Sequence, residues 1–151
     1  MNKTDLIYLA GFIDADGCIT VNRSKRGEKW YFGAVVNISG TRREPHDLAS
    51  SIWGGKVWCW MPKNSSHRPN FQWNRQGMSA VNAITDLLPF LRVKREHAEL
   101  ALRLHKGQLD FDAKNAIALA VFALNQDRRP KENGCLVDGV EHKHFPAALA
   151  A

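Results

Sequence analysis

The sequence predicts an α+β fold in which helices cover one face of an antiparallel sheet. Three observations predict it. Apolar spacing changes from helical to alternating and back, twice, giving the order helix, two strands, helix, two strands, helix, then extra C-terminal helices. The strands carry apolar side chains mainly at every second position, so only one sheet face needs cover. The chain has 151 residues, 44% hydrophobic and 24% charged, the length and balance of one globular domain with its own core.

The first helix centres on Leu6–Ile13, where Leu6, Leu9, Ala10 and Ile13 share a stripe flanked by Ile7 and Phe12. A helix coated all round must be covered on more than one side. Gly11 and Ala15, four apart, allow a second backbone to approach closely. Two readings stay open: a core helix packed by its own chain, or a helix held between its own sheet and a second copy. From Cys18 to Ser24 the period is two, with Ile19 and Val21 opposite Thr20, Asn22 and Ser24. A polar turn, Lys25 to Lys29, leads to Trp30–Ser39, where Phe32, Ala34, Val36 and Ile38 alternate with Tyr31, Gly33, Val35, Asn37 and Ser39. Pro45–Trp53 is a short helix ended by Gly54-Gly55. A second hairpin joins Val57–Met61 to Asn70–Arg75 across a Pro/Asn/Ser-rich stretch. Trp58 and Trp60 share a face, and core packing is the favoured reading over base contact. Helical spacing returns at Val81, Ile84, Leu87, Leu88 and Leu91, and further helices are predicted over 94–106 and 112–125. The domain is set at 1–127, followed by a tail at 128–151, basic first and irregular afterwards.

Lys and Arg number 21 against 15 Asp and Glu, a net charge of +6 that points to a polyanionic partner, nucleic acid before membrane. Cys18, Cys59 and Cys135 form no CxxC pair, so neither a disulfide framework nor a zinc knuckle fits, and a reducing, intracellular setting is expected. No apolar run reaches the roughly 20 residues that span a bilayer, and no cleavable signal is visible. Neither a membrane nor a small-molecule cofactor is expected as a partner. His46, His67, His97, His105, His142 and His144 show no metal-ligand spacing. On the uncovered sheet face the alternation places Thr20, Asn22, Ser24, Arg26, Tyr31, Asn37, Asn70, Gln72 and Asn74. Asn and Gln pair with adenine and Arg with guanine in the major groove, so these residues are the candidate base readers. Lys25, Lys29, Lys63, Arg68, Arg128, Arg129 and Lys131 are the candidate phosphate contacts.

At the junction of the first helix and first strand stands Leu9-Ala10-Gly11-Phe12-Ile13-Asp14-Ala15-Asp16-Gly17. Asp16 sits at a helix C-terminus, where the dipole disfavours an anion and calls for a cation. An Asx turn ending the helix is the alternative on the tetrapeptide alone. The run resembles the motif of the LAGLIDADG homing endonucleases in eight of its nine residues, with Phe12 in place of Leu. The likeness extends to Pro89-Phe90-Leu91-Arg92-Val93-Lys94 and to Ala123-Leu124-Asn125. With one motif copy it points to the single-motif, homodimeric branch, with an αββαββα fold and a saddle-shaped sheet.

The resemblance implies a site-specific double-strand DNA endonuclease, intron-encoded, hydrolysing phosphodiesters at a long near-palindromic site and leaving short 3′ overhangs. It makes Asp16 the metal-binding catalytic acid, with the Ala15 carbonyl as a further ligand, and places Leu9, Ala10, Gly11, Phe12 and Asp14 in the dimer interface. The implied metal is Mg²⁺, with Mn²⁺ substituting and Ca²⁺ supporting binding with little cleavage. Lys94 matches a lysine beside the metal in relatives, and a solvated helix start carries equal weight for it. Gly40 stands where relatives place a polar, water-organising residue, with Ser39 or Thr41 as neighbours that could serve. The alternative is a non-cleaving relative, an intron RNA maturase or a DNA-binding regulator. The implied setting is a bacterial cytoplasm, a plastid or a mitochondrion.

Overall fold

Asn2 opens the fold, its side chain accepting the Thr4 N–H (3.1 Å) and so capping the first helix, α1 (Lys3–Asp16). The computed structural model describes residues 2–63 and 66–126, with the backbone of two short strands at 135–137 and 140–142. After α1 come β1 (Cys18–Arg26), β2 (Lys29–Gly40), α2 (Glu44–Trp53), β3 (Trp58–Trp60), β4 (Asn70–Gln76), α3 (Met78–Leu87), α4 (Arg95–Arg103), α5 (Phe111–Gln126), β5 (Cys135–Val137) and β6 (Val140–His142). The α+β order expected from the periodicity is the observed one through α5.

β1 to β4 form one antiparallel sheet in the order β1-β2-β4-β3, with β1 and β3 at its edges. Ile19 lies opposite Val36, Val21 opposite Ala34, and Ile38 opposite Trp73. These side chains form the covered face. Leu9 and Ile13 of α1, Ala80, Ala83, Ile84 and Leu87 of α3, and Ala98 and Ala101 of α4 close over it. A smaller cluster of Leu104, Ile117 and Val121 extends the cover under α5, against Val21 and Phe32. Trp73 is wholly buried and still satisfies its indole N–H by donating to the Gly54 carbonyl (2.9 Å).

Gly17 hands α1 over to β1. A Cβ there would stand 2.7 Å from the Ile13 Cα and 3.1 Å from the Asn37 carbonyl oxygen, so only glycine lets the helix end lie so close to β2.

Two sequence expectations are corrected here. The polar turn at 25–29 shrinks to two residues, because Lys25 pairs with Trp30 and Arg26 with Lys29. Backbone pairing continues through exposed charged positions, and Gly27, with φ +58°, supplies the turn. Within the tail read as irregular, Cys135–Val137 pairs with Val140–His142. The Asp138-Gly139 dipeptide between them is a hairpin signal in the sequence. Arg128, Arg129 and Lys131 lie outside the described residues.

Candidate nuclease centre and nucleic-acid interface

The last turn of α1 leaves carbonyl oxygens that need donors. The Ile13 carbonyl accepts the Gly17 N–H at 3.0 Å. It also accepts from the Lys94 ammonium, which donates equally to the Asp14 carbonyl, both at 2.6 Å. Lys94 is only 3% exposed. Its charge is therefore placed on the negative end of the helix dipole, where a cation is most favourable. In return the Asp14 carboxylate accepts the backbone N–H groups of Arg92 (2.7 Å) and Lys94 (2.8 Å). The two side chains clasp α1 to the start of α4 from both directions. Neither reading of Lys94 from sequence anticipated this: it is not a solvated helix start, and its ammonium is committed to backbone two and three residues before Asp16.

Asp16 stays exposed, and its carboxylate has no hydrogen bond or ion pair among the described residues. With Ile13 and Asp14 taken, the Ala15 carbonyl and the Asp16 carboxylate are the terminal oxygens of the helix. They are hard oxygen donors of the kind Mg²⁺ accepts. No group of three His, Cys, Asp or Glu side chains comes together among the described residues. One chain therefore offers a part of a metal site, and the donors fit a metal only if further oxygens come from a second copy and from phosphate.

Gly17 alone separates Asp16 from the sheet's open face. Pairing puts Cys18 opposite Asn37, Thr20 opposite Val35, Asn22 opposite Gly33, Ser24 opposite Tyr31 and Arg26 opposite Lys29. It continues with Asn37 opposite Asn74, Ser39 opposite Gln72 and Val35 opposite Gln76. Directly opposed residues share a face, so all nine candidate base readers and Lys29 share this one. Arg26 rests on Tyr31, its guanidinium 5.6 Å from the ring centre. Arg68 is exposed in the segment leading to β4.

The tryptophans depart from expectation. Trp58 pairs with Gln72 and Trp60 with Asn70, which sets both indoles on the open face, 55% and 65% exposed. The expected core packing is wrong. Trp-Cys-Trp has no apolar alternation of its own, so only the register with β4 tells inside from outside. Ser39, which the alternation had put on this side without counting it among the base readers, joins the face, as does Gln76, which was not singled out from sequence.

The helix seam needs correction too. Leu9 and Ala10 are wholly buried in the chain's own core, which removes them from any surface open to a second chain. Asp14 is spent on the Arg92 and Lys94 amides, and Phe12 leans on His46, ring centres 6.2 Å apart. The outward stripe is Ile7 (49% exposed), Tyr8 (51%), Gly11 and Ala15. Nothing lies within 4 Å of a Cβ built on Gly11. At Gly40 a Cβ would meet Phe12 and His46 at 3.8 and 3.9 Å, on the helix side of the sheet. Ser39, its neighbour, is the residue that faces outward.

Two histidines are held neutral. His46 is buried with its Nδ1 2.8 Å from the Arg42 carbonyl oxygen, so Nδ1–H donates and Nε2 has no partner among the described residues. Burial lowers its pKa. The Nε2 of His105 accepts the Ala34 N–H (3.2 Å). Its pKa is lowered by burial and then by the charge on Lys114.

No protein-family model matches the chain, and no curated protein matches it. Solved structures do. The homing endonuclease I-CvuI, in complex with its target in the presence of calcium, aligns over 99% of this chain and 93% of its own at 23% identity, with a TM-score of 0.58. An archaeal intron-encoded homing endonuclease complexed with DNA aligns over 97% and 92% at 14% identity, TM-score 0.60. The group I intron-encoded homing endonuclease I-CeuI, also complexed with DNA, aligns over 99% and 77% at 12% identity, TM-score 0.55.

Proposed function

From the LAGLIDADG homing-endonuclease fold that this chain has, we propose that it is a site-specific double-strand DNA endonuclease that works as a homodimer with a divalent metal. The observation that carries the reading is the position of Asp16: an exposed carboxylate without a partner among the described residues, one residue from a sheet face of Thr, Asn, Ser, Gln and Arg. A two-stranded ribbon fits the major groove, and the net charge of +6 favours a polyanion.

A single carboxylate per chain makes half a site. Two chains joined along Ile7, Tyr8, Gly11 and Ala15 would bring two copies of Asp16 together over adjacent phosphates. Asp16 and the Ala15 carbonyl would hold Mg²⁺, which when bound supplies an activated water and stabilises the leaving oxygen. Lys94 and Asp14 fix the helix end from which Asp16 projects. The Asn, Gln and Arg side chains of the sheet set register along the duplex, and Lys29 and Arg68 hold phosphate. The working unit is residues 1–127, with 128–151 as an appended basic tail. The protein acts inside a cell or organelle and is encoded within an intron.

The test is a gel of plasmid carrying the rejoined exon junction, with wild type, Asp16→Asn and EDTA. Wild type in Mg²⁺ cuts both strands and leaves short 3′ overhangs. In Ca²⁺ it binds with little cutting. Asp16→Asn binds at least as well, because a carboxylate near phosphate is removed, while cleavage falls by several orders of magnitude.

A second reading, a non-cleaving DNA-binding regulator or RNA maturase, is favoured by the commitment of Lys94 to the helix end. A wild type that binds the junction tightly and leaves it uncut in Mg²⁺ and Mn²⁺ establishes that reading instead.

A further inference from the structure

β3 is three residues long, lies at the sheet edge, and exposes two indoles to solvent. Exposed aromatic side chains on an edge strand invite unwanted association unless something covers them. Several observations specify the cover. Each indole stands opposite a carboxamide, Trp58 with Gln72 and Trp60 with Asn70. The hairpin and the segments flanking it carry one sign of charge: between Asp47 and Asp86 the sequence holds no Asp or Glu, and it holds Lys56, Lys63, Arg68 and Arg75. The Lys56 ammonium stands 4.2 Å from the Trp58 ring centre, which keeps a cation at the indole. Residues i and i+2 of a strand are about 6.6–6.8 Å apart, close to two base steps at roughly 3.4 Å each.

We propose that the cross-strand pairs Trp58/Gln72 and Trp60/Asn70 are readers of A·T base pairs in the major groove. This rests on the DNA-binding reading above. A carboxamide can bond bidentately to the N6 and N7 of adenine, and the group that adenine's partner presents in the same groove is the thymine C5-methyl, which takes an apolar contact. Each pair supplies one side chain of each kind, side by side. The carboxamide binds the adenine, and the indole covers the methyl group. The indoles therefore add discrimination that a row of amides and cations lacks, since neither tells thymine from uracil.

The experiment uses the full chain in Ca²⁺. A binding site is first selected from random duplexes, and affinity is then measured by fluorescence anisotropy with thymine replaced by deoxyuridine at single positions. Two positions in the half-site, two base steps apart, prefer A·T, and loss of each methyl lowers wild-type affinity about fourfold. Trp58→Ala and Trp60→Ala each bind thymine and deoxyuridine alike at one position and keep the wild-type melting temperature, because neither indole belongs to the core. Wild type that does not distinguish thymine from deoxyuridine at any position overturns the inference. So does discrimination that survives both alanine variants. If no sequence is enriched at all, the DNA-binding reading itself falls, and the inference with it.

Discussion

Lys94 and Asp14 concentrate the molecule's electrostatics into four short hydrogen bonds between α1 and the chain 78 to 81 residues later. Removing the ammonium leaves the partly buried Asp14 carbonyl without this donor and the Ile13 carbonyl with the Gly17 N–H alone, a loss of about 1–3 kcal/mol. Lys94→Met, which fills much of the same volume without a donor, should lower stability by roughly that amount in urea denaturation, and should weaken cleavage through a loosened Asp16. An unchanged unfolding midpoint would remove the clasp from the account. The two neutral histidines give a pH dependence of known sign. Their folded pKa values lie below the ordinary 6.5, so between those values the unfolded chain binds more protons than the folded one. Stability is then full above about pH 6.5 and falls as pH drops below it. Melting temperatures at pH 7.5 and 5.5 should show that fall. His105→Gln, which keeps an acceptor for the Ala34 N–H but does not titrate, should lessen it. A slope that this substitution leaves unchanged belongs to other groups. Of these features the sequence singled out Asp16 and, by resemblance, Lys94, and it had set Asp14 in a dimer interface. The clasp was hidden because its partners are remote in the chain and bond to backbone, which no spacing rule records.

At the level of elements, α1 shows where pattern reading stops. Apolar residues on every side announced a helix covered twice, but with no polar face to orient it, nothing separated the buried stripe Leu6, Leu9, Ala10, Ile13 from the outward one. The same applies to β3, whose two tryptophans had a shared face and no signal saying which. The open space at Gly11 makes a clean test possible. A Cβ there meets nothing within 4 Å, and Gly11→Leu recovers most of the about 0.8–1 kcal/mol by which glycine trails alanine in a helix, so the monomer should fold at least as stably as wild type. Sedimentation should show wild type as a dimer at micromolar concentration and the variant as a monomer. A wild type that sediments as a monomer at that concentration ends the two-copy site. Leu9→Ala should instead cost about 2–5 kcal/mol of stability whatever the oligomeric state.

For the whole molecule, the proposed DNA binding predicts two kinds of failure, one for charges and one for amides. Arg68→Ala should weaken binding to every sequence alike and reduce the slope of log affinity against log salt by about 2, one for each copy in the proposed dimer. Gln72→Ala should cost roughly 1–3 kcal/mol at one base pair of each half-site and leave the salt slope alone. The element order was legible because each strand switches period sharply at Gly17 and Gly54-Gly55. The placement of β4 between β2 and β3 was not, since pairing partners far apart leave no local trace. That placement has a consequence for how the protein can change over generations. β2 is bonded on both sides, to β1 and to β4, so inserting one residue directly after Val35 would turn Asn37 and Ser39 inward and Val36 and Ile38 outward against two neighbours at once. On the DNA-binding reading proposed above, new target preferences accumulate by exchange of outward letters one at a time, with strand lengths kept. Gain or loss of residues is left to the turns and connections outside the strands, the Gly27-Glu28 tip among them. The inner letters act as a ruler, and the outer letters are the text that can be rewritten.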